Sequence, residues 1–235
     1  SAWDANWELR CVVVWGYKAE IVKDGYKYAT YEADGVKGAI LIGYDSSIIN
    51  FEAPEEVNGY PVRRMCISFK ENKTIKSVIL PSFIEKIGND MFFQCTYLEY
   101  VYIPDSVKTI GERAFRECSN LKTVRFSDSL ESIGIEAFIK CTRLTAVAFP
   151  DSLQTIERYA FSDCERLGDI IIPDSVTELG QNAFSNCDSM TSITFPKNME
   201  EIRSGMCENC ENLTNVVFPE NVKIIRGNAF FNCIS

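Results

Sequence analysis

Histidine is missing from all 235 residues. That single absence removes Ser-His-Asp and Cys-His nucleophilic sites, H-E-x-x-H zinc sites and any imidazole general base. Enzymes built on paired carboxylates need no histidine, so catalysis is confined to a narrow class. Positive charge is also scarce: 24 Lys and Arg stand against 33 Asp and Glu, for a net charge of −9. Such a chain repels nucleic-acid phosphates and anionic membrane surfaces, and neither is an expected partner. No run of apolar residues is long enough for a membrane-spanning helix. The apolar stretch Cys11–Trp15 is too short for the core of a signal peptide, and Arg10 beside Cys11 makes a poor lipidation site. The chain opens on Ser1, so a targeting segment is expected to have been cleaved or to lie upstream.

What the chain has in abundance is self-similarity. Cys95, Cys118, Cys141, Cys164, Cys187, Cys210 and Cys233 recur with a period of 23 residues (|i−j| of 23 between rungs). A fixed period of this size marks a solenoid, in which each unit contacts only its neighbours. One unit runs from Leu121 to Cys141, with apolar residues at Leu121, Val124, Phe126, Leu130, Ile133, Ala137 and Phe138. The alternation around Val124 and Phe126 predicts a short strand with one buried face. Pro104, Pro150, Pro173, Pro196 and Pro219 follow the strand position and end its hydrogen bonding. A second apolar pair, Val107 and Ile110, leads to Gly111, and Ala114-Phe115-x-x-Cys118 suits a single helical turn. The expectation is an α/β solenoid whose strands stack into one parallel sheet of roughly seven or more members, about 4.8 Å apart.

The motif L-x-x-V-x-F-P-D-S-L-x-x-I-x-x-x-A-F-x-x-C stands from Leu144 to Cys164, and in this the chain resembles the BspA-like leucine-rich-repeat family. The resemblance covers about residues 57–235, and the lead-in from Ile42 to Tyr44 and from Glu55 to Val62 is similar to the segment that opens such arrays. It implies a right-handed leucine-rich-repeat superhelix behind a non-repeating cap. It also implies a surface or secreted protein of a host-associated microbe, adhering to host matrix or to other cells without enzymatic activity or cofactor. A passive stalk presenting another domain is the alternative. Further still stand a carboxylate-dependent glycosidase and glycan binding by the cap.

Composition divides the chain into a capping region, 1–56, and a repeat array, 57–235. Trp3, Trp7 and Trp15 lie in the first part with Tyr17, Tyr26, Tyr28, Tyr31 and Tyr44, whereas phenylalanine dominates afterwards. The cap is expected to carry strands around Cys11–Trp15, Tyr26–Tyr31 and Ala39–Tyr44. Its tryptophans are read as cap core in preference to a sugar-stacking platform. The sequence stops in mid-repeat after Cys233, so further repeats, another domain or a covering partner are expected there.

Three sets of residues have chemistry worth weighing. The cysteine column lies three residues past the inward phenylalanines, so its thiols are expected to be buried and free; Asn72 takes its place at the start as a turn residue. Cys207-Glu-Asn-Cys210 has the C-x-x-C spacing, but both positions fall in core columns. Asp105, Asp128, Asp151 and Asp174 form a second column, read as residues bonding the backbone of their own Pro-Asp-Ser turns in preference to a calcium site. What remains is the outward strand face, whose residues vary from unit to unit. Tyr100, Tyr102 and Arg125 are its candidate hot spot, with Arg125 expected against the Tyr102 ring. Ile79, Thr123, Ala148, Asp169 and Ile171 complete the candidate site for a protein ligand.

Overall fold

A computed structural model of the chain describes residues 17–33 and 35–233. Trp3, Trp7, Trp15 and the strand expected around Cys11–Trp15 lie outside them. The cap begins with β1 (Tyr17–Lys23), β2 (Tyr26–Ala33) and β3 (Val36–Tyr44), an antiparallel meander. Asp24 and Gly25, both at positive φ (53° and 82°), make the two-residue turn whose twist matches the strands it joins. The chain then leaves this sheet for β4 (Asn50–Glu52) and returns through β5 (Glu56–Val57) and β6 (Tyr60–Met65). The turn of that second hairpin is Asn58–Gly59, again at positive φ. β6 runs parallel to β3 inside the cap sheet, whereas β4 joins the array. The N-terminal sheet and the stacked strands therefore interlock across residues 50–65.

Each repeat contributes two short strands. One column comprises Ser77–Ile79, Tyr100–Tyr102, Thr123–Arg125, Ile170–Ile171, Ser192–Thr194 and Asn215–Val217. The other comprises Lys86–Ile87, Thr109–Ile110, Ser132–Ile133, Thr155–Ile156, Glu178–Leu179, Glu201–Ile202 and Ile224–Ile225. Where neighbouring strands pair they are parallel and in register at the repeat period, and the second column divides into a five-stranded part and a two-stranded part between Glu178–Leu179 and Glu201–Ile202. In the second column Ile110 and its equivalents from Ile87 to Ile202 are buried, while Ile225 in the last unit is exposed; this is a strand the apolar pair before Gly111 did not reveal.

Two expectations are corrected. The first column is not one sheet: it splits into a four-stranded part that includes β4 and a three-stranded part. Between them Ala146–Ala148 keeps a single bridge, Ala146 to Thr123. Alanine offers a pleated surface little to pack, and two of them flank Val147 here. Val147 and Phe149 are half-buried in consequence, where their equivalents Val124 and Phe126 are buried.

The second correction is that the described residues contain no helix, so the architecture is a β-solenoid. The segment expected to make a helical turn alternates its amides instead. Those of Arg113, Phe115 and Glu117 donate along the solenoid to the carbonyls of Ile135, Ala137 and Ile139 at 2.7–2.9 Å. Those between them bond within their own turn, as Ala114 does to Gly111 and Cys118 to Phe115. Only an alternating backbone can do this, and Arg113 and Glu117 sit at φ 53° and 60°. The same left-handed positions recur through Asn182, Asn186, Asn209, Asn228 and Asn232, a residue type that tolerates them. A helix would aim every amide at its own fourth predecessor and forfeit the bonds to the next unit.

The core is a stack of rings. Phe69, Phe92, Phe115 and Phe138 are fully buried and lie face over face with centroids 4.9 Å apart, the spacing of the strands that carry them. Phe161 and Phe184 continue the column at 5.1 and 5.6 Å. Beside it runs the cysteine column, buried and free from Cys95 to Cys210, with Cys233 half-buried. Each thiol does more than fill space: Cys95, Cys118 and Cys141 donate to the carbonyls of Phe69, Phe92 and Phe115 in the preceding unit at 2.8, 3.0 and 3.2 Å. Asn72 opens the column as a turn residue, its Oδ1 accepting from the amides of Thr74 and Ile75. Outside the column, Cys66 is disulfide-bonded.

Candidate functional site

The strand register brings the candidate residues together in two rungs. Ser77, Tyr100 and Thr123 are paired across three neighbouring strands, and Ile79, Tyr102 and Arg125 make the next rung but one. Between them the inward residues Val78, Val101 and Val124 anchor the face to the core. Tyr100 is 42% exposed, Ile79 39%, and Ile171, on the far side of the sheet break, 73%. Large apolar side chains left this open on a well-packed scaffold are a surface with something to gain from burial.

Arg125 does not lie on the Tyr102 ring. Its guanidinium reaches back to Asp105 at 3.6 Å and down to Asp128 at 3.7 Å. Two carboxylates outbid an aromatic face for the same cation. The aspartate column is thereby explained differently from the expected own-turn bonding. Asp105 and Asp128 flank Arg125, and Asp174 accepts from the backbone amide of Lys197 at 2.9 Å and from its ammonium at 3.0 Å. Asp169 binds into the next unit too: its Oδ1 accepts from Thr191 N (3.0 Å), Thr191 Oγ1 (2.8 Å) and Ser192 N (2.8 Å). The Thr191 hydroxyl, with those amides, holds the Asp169 carboxyl below its usual range.

The face carries two concavities, and the candidate residues divide between them. A groove of about 420 Å³ lies at the ends of β4, Ser77–Ile79 and Tyr100–Tyr102. Ile79, Tyr102 and Pro104 line it with Glu52, Glu55 and Asp105. A second, of about 300 Å³, opens where the sheet breaks and is lined by Ala148, Phe149, Asp169 and Ile171 among others. Tyr100, Thr123 and Arg125 line neither of them. Glu52 and Glu55 escape sequence reasoning because β4 stands 27 residues before its partner strand, off the 23-residue phase. The available signal is the alternation Ile49-Asn50-Phe51-Glu52-Ala53, whose Phe51 is buried.

Elsewhere the chemistry is structural. Cys207 and Cys210 are both buried and free, and the Cys210 thiol donates to Phe184 O at 3.1 Å. Among the described residues no group of His, Cys, Asp and Glu is arranged to hold a metal ion, and no helix is long and apolar enough to cross a membrane.

The comparisons with known proteins agree with this architecture. The family model described as BspA type Leucine rich repeat region matches residues 65–167 and 114–235, in six copies. The chain belongs to the BspA-type leucine-rich-repeat family. Among solved structures it is similar to the leucine rich repeat protein of T. pallidum, at 29% identity and a TM-score of 0.63, over 88% of this chain and 86% of that one. A leucine rich cell surface protein from Faecalibacterium prausnitzii A2-165 also matches, at 21% identity and a TM-score of 0.45, over 92% of this chain and 86% of that one. No curated protein matches.

Proposed function

We propose that this BspA-type leucine-rich-repeat chain is a non-enzymatic binding module, secreted or displayed at a cell surface, that adheres to host matrix or to neighbouring cells. Its protein ligand is engaged through the outward strand face. The observation carrying this reading is the contrast between columns. Inward positions repeat the same residue types unit after unit, while outward positions change and leave Tyr100, Ile79 and Ile171 exposed around two concavities. Leucine-rich repeats commonly serve as protein-interaction scaffolds. The disulfide at Cys66 supports the location, because such bonds persist in oxidising surroundings outside the cytosol.

The test is surface plasmon resonance of the chain against purified extracellular-matrix proteins and flow cytometry against intact cells. A ligand is expected to bind the wild type and to lose about 2 kcal/mol or more with Tyr100→Ala/Tyr102→Ala. A Lys108→Ala control, at the exposed position before the Thr109–Ile110 strand, should bind as well as wild type. A ligand indifferent to the tyrosines would move the working surface off the strand face.

A further inference from the structure

We propose that the groove at the ends of the first three parallel strands binds a basic segment of the partner protein. A lysine or arginine stem would lie on Ile79 and Tyr102, with its charged head among Glu52, Glu55 and Asp105. This rests on the strand face being the protein-binding surface and adds the chemistry of what it takes. Register builds the site: Glu52, Ile79 and Tyr102 are paired side by side across β4 and the next two strands. The pair Ile79 and Tyr102, with Pro104, makes an apolar floor, and the carboxylates stand around it. That combination suits a side chain with a long apolar stem and a cationic tip. The groove's volume, about 420 Å³, falls within the range of small-ligand sites.

Charge decides the occupant. Glu55 accepts from Ser82 Oγ at 2.8 Å, a bond that leaves its charge in place. Of the groove's carboxylates, Asp105 is paired with Arg125, which it shares with Asp128. Three carboxylates against half of one guanidinium leave the groove negative, on a chain whose net charge is −9. The second concavity repeats the arrangement, with Asp151 and Asp169 beside Ile171 and Phe149. Complementary potential steers encounter and excludes acidic partners.

The test uses a fluorescein-labelled twelve-residue peptide of lysine, serine and glycine. Its counterpart with acetyl-lysine and another with glutamate serve as controls, each titrated with the intact chain by anisotropy near physiological salt. The lysine peptide is expected to bind at least about tenfold tighter than either counterpart. Glu52→Gln/Glu55→Gln/Asp105→Asn should weaken it about tenfold, and Tyr102→Ala, which leaves every carboxylate in place, about threefold or more. Glu131→Gln/Glu165→Gln/Glu178→Gln makes the same change of charge elsewhere and should leave affinity within about twofold. Equal losses in the two triple variants would reduce the effect to net charge and overturn the site, as would equal binding of lysine and acetyl-lysine peptides. Should the groove triple unfold, Glu52→Gln alone, at an exposed position, is expected to weaken the peptide about two- to threefold, and no change would overturn the site. A protein ligand that depends on Tyr100 and Tyr102 but is not displaced by excess lysine peptide would overturn the groove while leaving the strand-face reading intact.

Discussion

The thiol of Cys118 points at the carbonyl oxygen of Phe92 in the preceding unit, 3.0 Å away. The same oxygen already accepts the amide of Cys95 at 3.1 Å, so both of its lone pairs are used among fully buried residues. This gives the column a reason to be cysteine that packing alone does not. Cys118→Val removes the donor and adds a carbon to a closed column, and should destabilise the fold by about 1–3 kcal/mol. Cys118→Ser, which restores a donor, should recover part of the loss. Urea melts of the two variants settle the order; Val equal to wild type would make the bond incidental.

Burial pushes the Cys95 thiol up to about 12, and desolvation raises Cys118 and Cys141 in the same direction. The thiolate is the reactive form, so near pH 8 the thiols of Cys95, Cys118 and Cys141 should resist a thiol reagent in the native state, whereas Cys210, whose thiol is pulled down by hydrogen bonds from Cys187 and Cys207, is shielded by burial alone. Half-buried Cys233 should label first and the rest only in denaturant, as mass spectrometry of the labelled peptides would show. A reductant should act at Cys66 instead, lowering stability by the about 2–4 kcal/mol typical of a disulfide without altering the array. Column cysteines that label as fast as Cys233 would mean that the array opens readily.

The strand of Thr123–Arg125 could be read from sequence because Val124 and Phe126 alternate with outward residues, a period that only an extended backbone satisfies. The turn after Gly111 could not. Ala114, Phe115 and Cys118 have helical spacing, and the left-handed residues Arg113 and Glu117 between them are types that give no warning. What selects that conformation is the hydrogen bonding to Ile135 and Ile139 one unit on, which local pattern does not encode. The site was half legible for a similar reason. Register places Tyr100, Tyr102 and Arg125 together, since their phase is fixed, but the groove beside them is completed by Glu52 from outside the repeat. Where Arg125 points depends on two aspartates in neighbouring turns, a choice among partners that spacing leaves open.

A Cβ added at Gly180 would come within 2.1 Å of the backbone nitrogen of Arg158 in the preceding turn. Backbone atoms inside a stacked ladder have nowhere to go, so Gly180→Ala should cost about 1–3 kcal/mol. Gly88 holds the same position at the start of the array and has nothing within 4 Å of its added Cβ. Gly88→Ala should be neutral or raise stability by up to about 1 kcal/mol, through a less mobile unfolded chain. Calorimetric melts showing the same sign for both would remove close packing of the turns as the reason for glycine.

Asp169 predicts an acid limb to the stability curve. Its carboxyl is held below the ordinary value of about 3.9 by the Thr191 hydroxyl first, with the Thr191 and Ser192 amides adding to it. A depressed folded value means that the charged form contributes stability above the unfolded value, and that this is lost as pH falls through the folded one. Asp169→Asn keeps an acceptor but no charge. Its melting temperature should lie below wild type at pH 7 and converge with it as the pH falls through the folded value of Asp169. A gap that persists unchanged into acid would assign the loss to shape, not charge.

Arg125 gives the sign test of the groove. A residue that contacted a basic ligand as a hot spot would weaken binding when removed. Held between Asp105 and Asp128, it acts the other way, cancelling negative charge at the groove's edge. Arg125→Ala frees Asp105 and should tighten the lysine peptide, by about two- to fivefold near physiological salt and by more at low salt, where screening is weaker. The fold should be unaffected, because the side chain is exposed and its ion pairs are of the kind that contribute little to stability. Tyr102→Ala, on the same rung, should move affinity in the opposite direction. Anisotropy titrations of both variants at two salt concentrations read the two signs directly. A loss of affinity on removing Arg125 would place the positive charge of the face, and not its carboxylates, at the centre of recognition.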